Sequence, residues 1–151
     1  MKKEARPKKS VMKSPALDAS IGFLLRKAYQ RNMVLFGQLS SDPDLTAVQA
    51  AALLALKDHS PCSLAELGRT AAMDPATTRG VVERMRKRKL VRTEPSLEDK
   101  RELRIVLEKE GRKIAETVGE TGKTITEATL APLNDAERVA LDYLLRKICG
   151  E

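Results

Sequence analysis

Pro75-Ala-Thr-Thr-Arg79 follows Asp74 and leads into the apolar set Val81, Val82 and Met85. An aspartate cap followed by proline opens a helix, because proline lacks only an N–H that would be unpaired there anyway. The first turn of that helix gathers methyls, hydroxyls and a guanidinium. Ala76 and the methyls of Thr77 and Thr78 can touch a thymine methyl, and the hydroxyls can bond base edges or phosphate. Arg79 can fork onto guanine O6 and N7, a contact worth ~1–3 kcal/mol of discrimination. This is chemistry for reading base edges rather than for breaking bonds. The other reading turns Thr77 or Thr78 onto the preceding helix.

The elements that must hold this turn are visible on both sides of it. Ser63-Leu-Ala-Glu66 is a capping box, so a short helix runs from Ser63 to Ala72. The helix from Asp74 to Lys89 follows, with Val81, Val82 and Met85 as its inner face. Leu90 and Val91 lead into a strand, Pro95–Asp99 forms a tip, and Glu102–Leu107 returns with alternating apolar residues. Helix, turn, helix and hairpin is the layout of a winged helix-turn-helix, whose second helix fits the major groove of DNA. The candidate DNA-contacting set is Ser63, Pro75, Ala76, Thr77, Thr78, Arg79, Arg84, Arg86, Asp99, Lys100 and Arg101.

Charge supports this less through its total than through its placement. The chain has 151 residues and a formal net charge of +7. Residues 1–13 carry Lys2, Lys3, Arg6, Lys8, Lys9 and Lys13 against Glu4 alone. Pro75–Arg92 carries Arg79, Arg84, Arg86, Lys87, Arg88, Lys89 and Arg92 against Glu83 alone. The remainder is mildly acidic. A basic stretch centred on the second helix is the footprint of a polyanion. Arg84 and Arg86 are candidate phosphate ligands. Arg86-Lys-Arg-Lys89 also reads as a solvated helix end, where cations suit the dipole.

Aromatic residues make up 3% of the chain and tryptophan is absent, so there is no stacking platform for single strands or RNA. Duplex DNA is the expected polymer. Cys62 and Cys149 are far apart, which suggests neither a zinc site nor a disulfide, and fits a reduced cytoplasmic setting. His59 is the lone histidine and has no metal-ligand cluster around it. No nucleophile–base set or phosphate loop is present, so neither an enzyme nor a cofactor is expected. No apolar run reaches membrane-spanning length, and no apolar signal core follows the basic start.

Residues 1–15, Lys-rich with two prolines, read as a disordered basic arm, and 16–151 as a single domain. Within it, 46–109 forms the winged DNA-binding lobe, while 16–45 and 110–151 supply dimerisation helices. A helix from Asp18 to Leu39 carries Ile21, Leu24, Leu25 and Phe36. Thr46-Ala-Val-Gln49 caps an Ala/Leu-rich helix that ends near Asp58. A long helix runs from Glu110 to Leu130, and Asn134-Asp-Ala-Glu137 caps the last one, with Val139, Leu141, Leu144, Leu145 and Ile148. Amphipathic helices at the two ends find each other or a partner chain. The fold class is thus mainly α with a small β-wing.

Leu64-Ala-Glu-Leu, Met73-Asp-Pro-Ala-Thr-Thr-Arg-Gly-Val-Val-Glu-Arg-Met, Asp99-Lys-Arg101 and Leu107 to Gly111 together resemble the MarR family of bacterial transcription regulators. The resemblance extends from about Ile21 to Ile148. Leu24-Leu-Arg-Lys-Ala-Tyr-Gln30 and Leu130 to Arg138 are similar to the subgroup that controls aromatic-acid catabolism. Glu108 stands where the family carries threonine, so the helix after the wing should lack a hydroxyl cap.

The resemblance implies a homodimer on a pseudo-palindromic operator, with recognition helices one DNA turn (~34 Å) apart. It implies a repressor released by a small effector, such as an aromatic carboxylate or an acyl-CoA thioester. It also sends Arg101 into a minor groove, with Asp99 holding its guanidinium; a surface ion pair is the other reading. Effector residues would lie along the first long helix: Arg26, Tyr29, Gln30, Met33 and Phe36. Arg26 would pair a carboxylate, or else be a surface charge. Thiol sensing through Cys62 stays open. Two rival functions remain: an architectural DNA-binding protein without a ligand, and a winged helix that binds protein.

Overall fold

The computed structural model describes residues 14–99 and 101–151. Residues 1–13 of the basic arm, and Lys100, lie outside the described residues. Seven helices and three strands run in the order α1 (Pro15–Asp18), α2 (Ile21–Leu39), α3 (Ala47–His59), β1 (Cys62–Ser63), α4 (Leu64–Thr70), α5 (Pro75–Lys87), β2 (Val91–Pro95), β3 (Leu103–Leu107), α6 (Lys109–Leu130) and α7 (Asp135–Cys149). The expected first helix is thus divided. Pro15–Asp18 makes one turn of its own ahead of α2.

Local chemistry sets most of these boundaries. Capping boxes at Thr46/Gln49, Ser63/Glu66 and Asn134/Glu137 each bond in both directions. Asp74 caps α5 by accepting from the N–H groups of Ala76 and Thr77 at 3.0 and 2.9 Å. Glu108 at the head of α6 makes no side-chain cap bond, and its carboxylate turns to Arg92 at 3.1 Å instead.

The three strands form an antiparallel sheet with β3 central. Cys62 faces Ile105 on one side, and Val91 pairs with Leu107 and Thr93 with Ile105 on the other. Ile105 is fully buried, but Leu103, expected on the inner face, is half exposed where the hairpin leaves the body. The core runs from Leu53 and Leu56 of α3, through Leu67 of α4, to Val81 and Met85 of α5. Its alanines, Ala50, Ala52 and Ala115, let α3 and α6 approach closely.

Two glycines are required by close approach. At Gly111 a Cβ would stand 2.2 Å from the Leu90 carbonyl oxygen and 2.8 Å from a Leu107 methyl. That site lets α6 start directly against the turn between α5 and the wing, where the Glu108 N–H donates to the Leu90 carbonyl at 3.0 Å. At Gly68 a Cβ would meet the Thr78 hydroxyl at 3.0 Å, so glycine lets α4 and α5 cross.

The flanking helices differ from this body. No residue of α7 is buried, and Val139, Tyr143, Leu144 and Ile148 are all more than half exposed. Ile21, Leu24 and Leu25 of α2 are exposed as well. The bond from the Asn32 amide to the Thr129 hydroxyl, 3.1 Å, ties α2 to α6. Arg138 ties the start of α7 to Glu127 at 2.7 Å.

Candidate nucleic-acid interface

The first turn of α5 is held in place from behind. Val81, Val82 and Met85 anchor the helix in the core, while Pro75, Ala76 and Arg79 point outward and are exposed. The Thr77 hydroxyl donates to the Asp74 carboxylate. That bond, with those from the Thr77 and Ala76 N–H groups, holds the Asp74 carboxyl below its ordinary value. Thr77 therefore presents its methyl and an oxygen lone pair, its proton being committed.

Thr78 turns inward from this exposed turn. It is 1% exposed, its hydroxyl donates to the Asp74 carbonyl at 2.8 Å, and it packs on Gly68 of α4. One helical position, 100° of rotation, separates a groove-facing threonine from a packing one. Ser63 is likewise withdrawn: it is buried, and its hydroxyl accepts from the Glu66 N–H at 3.2 Å. Its hydroxyl oxygen caps α4.

The basic stretch is partly neutralised. Arg86 is gripped at both Nε and a terminal nitrogen by Glu83, each at 3.1 Å. Arg92 bridges Glu94 at 2.8 Å and Glu108 at 3.1 Å. Arg88 reaches Asp42 at 2.6 Å. Among the described residues, Arg79, Arg84, Lys87 and Lys89 pair with no carboxylate. Arg79 and Arg84 are exposed and free to meet bases and phosphates; Arg86 must first release Glu83.

At the wing tip the Asp99 carboxylate accepts from the backbone N–H of Arg101 at 2.9 Å, not from its guanidinium. The Glu102 N–H bonds the Asp99 carbonyl at 2.9 Å. Asp99 therefore shapes the turn that projects Arg101, and the exposed guanidinium has no acidic partner among the described residues. Sequence reasoning missed Leu97, a fully exposed leucine at the same tip. Its one signal was an apolar residue in an otherwise polar turn.

The five residues expected to line an effector site do not share one. Tyr29 borders a groove of about 460 Å³ together with Asn32, Val48, Ala51, Met73, Asp74 and Thr77. Phe36 lies two helical turns further along the same side of α2. It is buried with Leu45, Ile114 and Val118 around a smaller cavity of about 90 Å³. Arg26 and Gln30 are exposed, and Met33 is half-buried.

Cys62 is buried, and burial with the nearby Glu66 carboxylate pushes its thiol above the ordinary value. Such a thiol stays protonated and is a poor nucleophile. Glu66 is itself held low by the Ser63 N–H, which donates to it at 2.7 Å, and Arg104 lies 2.9 Å away. No cluster of metal-ligating side chains exists among the described residues, and no helix there is long and apolar enough to cross a membrane.

A buried two-helix unit with a charged, exposed first turn, followed by a three-stranded wing, defines a winged helix-turn-helix DNA-binding regulator. Comparison with known proteins narrows the class. Residues 44–102 match the MarR family model. The chain is 40% identical over 150 residues to the HTH-type transcriptional repressor NicR of Pseudomonas putida, covering 98% of this chain and 95% of that one. The solved structure of Bordetella bronchiseptica BpsR, described for regulation of its DNA binding by 6-hydroxynicotinic acid, superposes with a TM-score of 0.82. It is 41% identical and covers 89% of this chain and 96% of that one. Streptomyces coelicolor PcaV, solved with its natural ligand, superposes with a TM-score of 0.81 at 25% identity over 92% of this chain and 98% of that one. The chain belongs to the MarR family: it is a transcriptional regulator and not an enzyme.

Proposed function

We propose that this chain is a homodimeric repressor that reads a pseudo-palindromic operator through α5 and is released by a small aromatic carboxylate. The observation that carries the reading is the groove beside Tyr29. One wall is α2, which bears the unpartnered apolar residues, and the other is the turn and first residues of the recognition helix. A molecule seated there touches both halves of the machine at once. Arg26, exposed one helical turn before Tyr29 and outside the groove's lining, would supply the guanidinium for a carboxylate reaching out of it. Ring contacts would come from Tyr29, Val48 and Met73.

The dimer is supported by the exposed apolar faces of α2 and α7. Residues such as Val139, 72% exposed, and Ile148, 65% exposed, have no reason to stay in water. Two copies joined there would set the α5 helices at a fixed spacing on DNA. A ligand that binds better to the wrong spacing shifts the population off the operator.

The relative described as regulated by 6-hydroxynicotinic acid supplies the first compound to test. Titration of 6-hydroxynicotinate, with benzoate as a comparison, into a preformed protein–operator complex should release the DNA. Arg26→Ala should keep operator affinity and need at least tenfold more ligand. Release that is unaffected by Arg26→Ala and by Tyr29→Ala would move the effector out of this groove.

A further inference from the structure

Arg88 sits in the run Arg86-Lys-Arg-Lys89 and reads from sequence as one more cation for DNA. The structure gives it a different task. Its guanidinium crosses to the α2–α3 junction, more than forty residues away in sequence, and donates to the Asp42 carboxylate at 2.6 Å and to the Asp44 carbonyl at 3.0 Å. The side chains of Arg88 and Asp42 are only 30% and 23% exposed.

The junction it grips is itself closely hydrogen-bonded. The other oxygen of Asp42 accepts from the Asp44 N–H at 3.0 Å. The Ser40 hydroxyl bonds both the N–H and the carbonyl of Asp42, at 3.3 and 3.1 Å. The Ser40 N–H in turn closes the end of α2 on the Phe36 carbonyl at 2.8 Å. Leu45, immediately after, is buried beside Phe36 against α6. An unbroken train of hydrogen bonds thus joins the last turn of α2 to the residue that caps the C-terminal end of the recognition helix.

We propose that Arg88 and Asp42 form a latch that fixes the angle of α5 relative to α2, and that Arg88 is a positioning residue rather than a phosphate ligand. The lever is long. A 13-residue helix is about 20 Å, so a tilt of roughly 5° at the latched end moves the reading end by about 2 Å. That is enough to misplace hydrogen bonds whose tolerance is a few tenths of an ångström. Because α2 carries the apolar face assigned to the dimer, the latch passes dimer geometry to the base-reading turn. The inference rests on α5 being the reading helix. Arg79→Ala tests that separately: loss of sequence discrimination there supports the reading helix whatever the latch does.

The experiment measures binding to the duplex that wild-type protein selects from random-sequence DNA, across a range of salt concentrations. Arg88→Lys keeps the charge but loses the forked grip, and Asp42→Asn lies on the junction, away from the exposed turn of α5. A latch predicts that each lowers affinity about three- to tenfold. The double variant should be no weaker than the weaker single one, and the slope of log affinity against log salt should match wild type. A phosphate contact predicts a different pattern: Arg88→Lys and Asp42→Asn both near wild type, and Arg88→Gln flattening the slope by about one ion. That pattern, or no effect from any variant, overturns the proposal.

Discussion

Val81, Met85 and Ile105 in the winged lobe have no accessible surface, whereas α7 has no buried residue at all. The lobe has finished folding within one chain. Its helices are capped, its sheet is paired on both sides of β3, and no side-chain polar atom among the described residues is buried without a partner. Of the flanking helices only α7 has a side-chain cap at its start, and α2 and α7 expose leucine, isoleucine, valine and tyrosine. The contrast separates two kinds of stability. The lobe is held by its own core, whereas α7 and the start of α2 leave apolar side chains uncovered, the faces assigned above to the proposed dimer.

The comparison breaks first at α7. Leu144→Glu with Ile148→Glu should place charge in the apolar face without touching the lobe. Sedimentation should show a monomer, and operator affinity should fall by about 10²–10⁴-fold as the two half-sites are no longer linked. The lobe's own packing should remain, read as retained helical circular dichroism. A variant that stays dimeric with full operator affinity would remove α7 from the interface.

Gly111 tests the lobe in the same way. Adding a methyl there forces α6 away from the Leu90 carbonyl, which is backbone and cannot turn aside. Overpacking of this kind costs about 1–3 kcal/mol, so Gly111→Ala should lower the thermal midpoint by several degrees. Gly122→Ala is the matched control, since a Cβ there meets nothing within 4 Å. It should be neutral or slightly stabilising. Equal effects at the two sites would mean that helix propensity, not packing, governs α6.

Arg79→Ala and Arg84→Ala sharpen the division inside the reading surface. Arg79, in the first turn, should cost ~1–3 kcal/mol on the selected sequence and relax discrimination at one position. Arg84, about one and a half turns further on, should weaken all duplexes alike and reduce the salt slope by about one ion. Binding isotherms on matched and scrambled duplexes at several salt concentrations separate the two.

How much of this could be read from the chain follows the range of the interaction. The capping boxes at Ser63, Thr46 and Asn134, and the Asp74-Pro75 start of α5, were legible because donor and acceptor lie within three residues. The inner face of α5 was legible from the spacing of Val81, Val82 and Met85. Thr78 was not, because its burial depends on Gly68 of another helix approaching closely. The partner of Arg88 was invisible for the same reason at longer range: nothing local to a tetrabasic run points to an aspartate beyond α3. Asp99 was read as holding a guanidinium, but two residues is the span of a turn, and its carboxylate takes the nearer backbone N–H. The effector candidates were read as a stripe from helical spacing, and the structure spreads that stripe along the length of α2. Tyr29 and Phe36 share one side of α2 but stand two turns apart, so they border different cavities.

The smallest effect concerns the cap that starts the reading turn. Hydrogen bonds from Thr77 and Ala76 hold the Asp74 carboxyl below its ordinary value, so the charged form is favoured more in the folded chain than in the unfolded one. The sign follows: the stabilisation is complete above the unfolded carboxylate range and is lost as pH falls through the lower folded value. Asp74→Asn keeps a capping oxygen but has no charge to titrate. At neutral pH it should melt below wild type. As pH is lowered through the carboxylate range the two melting curves should converge, because wild-type Asp74 becomes neutral too. Operator affinity at neutral pH should fall only slightly for Asp74→Asn, since Arg79 keeps its place on the helix. If the gap between the two proteins stays constant with pH, the Asp74 charge is not what sets the start of α5. The Thr77 hydroxyl bond and the Pro75 backbone would then suffice, making the first turn of the reading helix as self-contained as the core behind it.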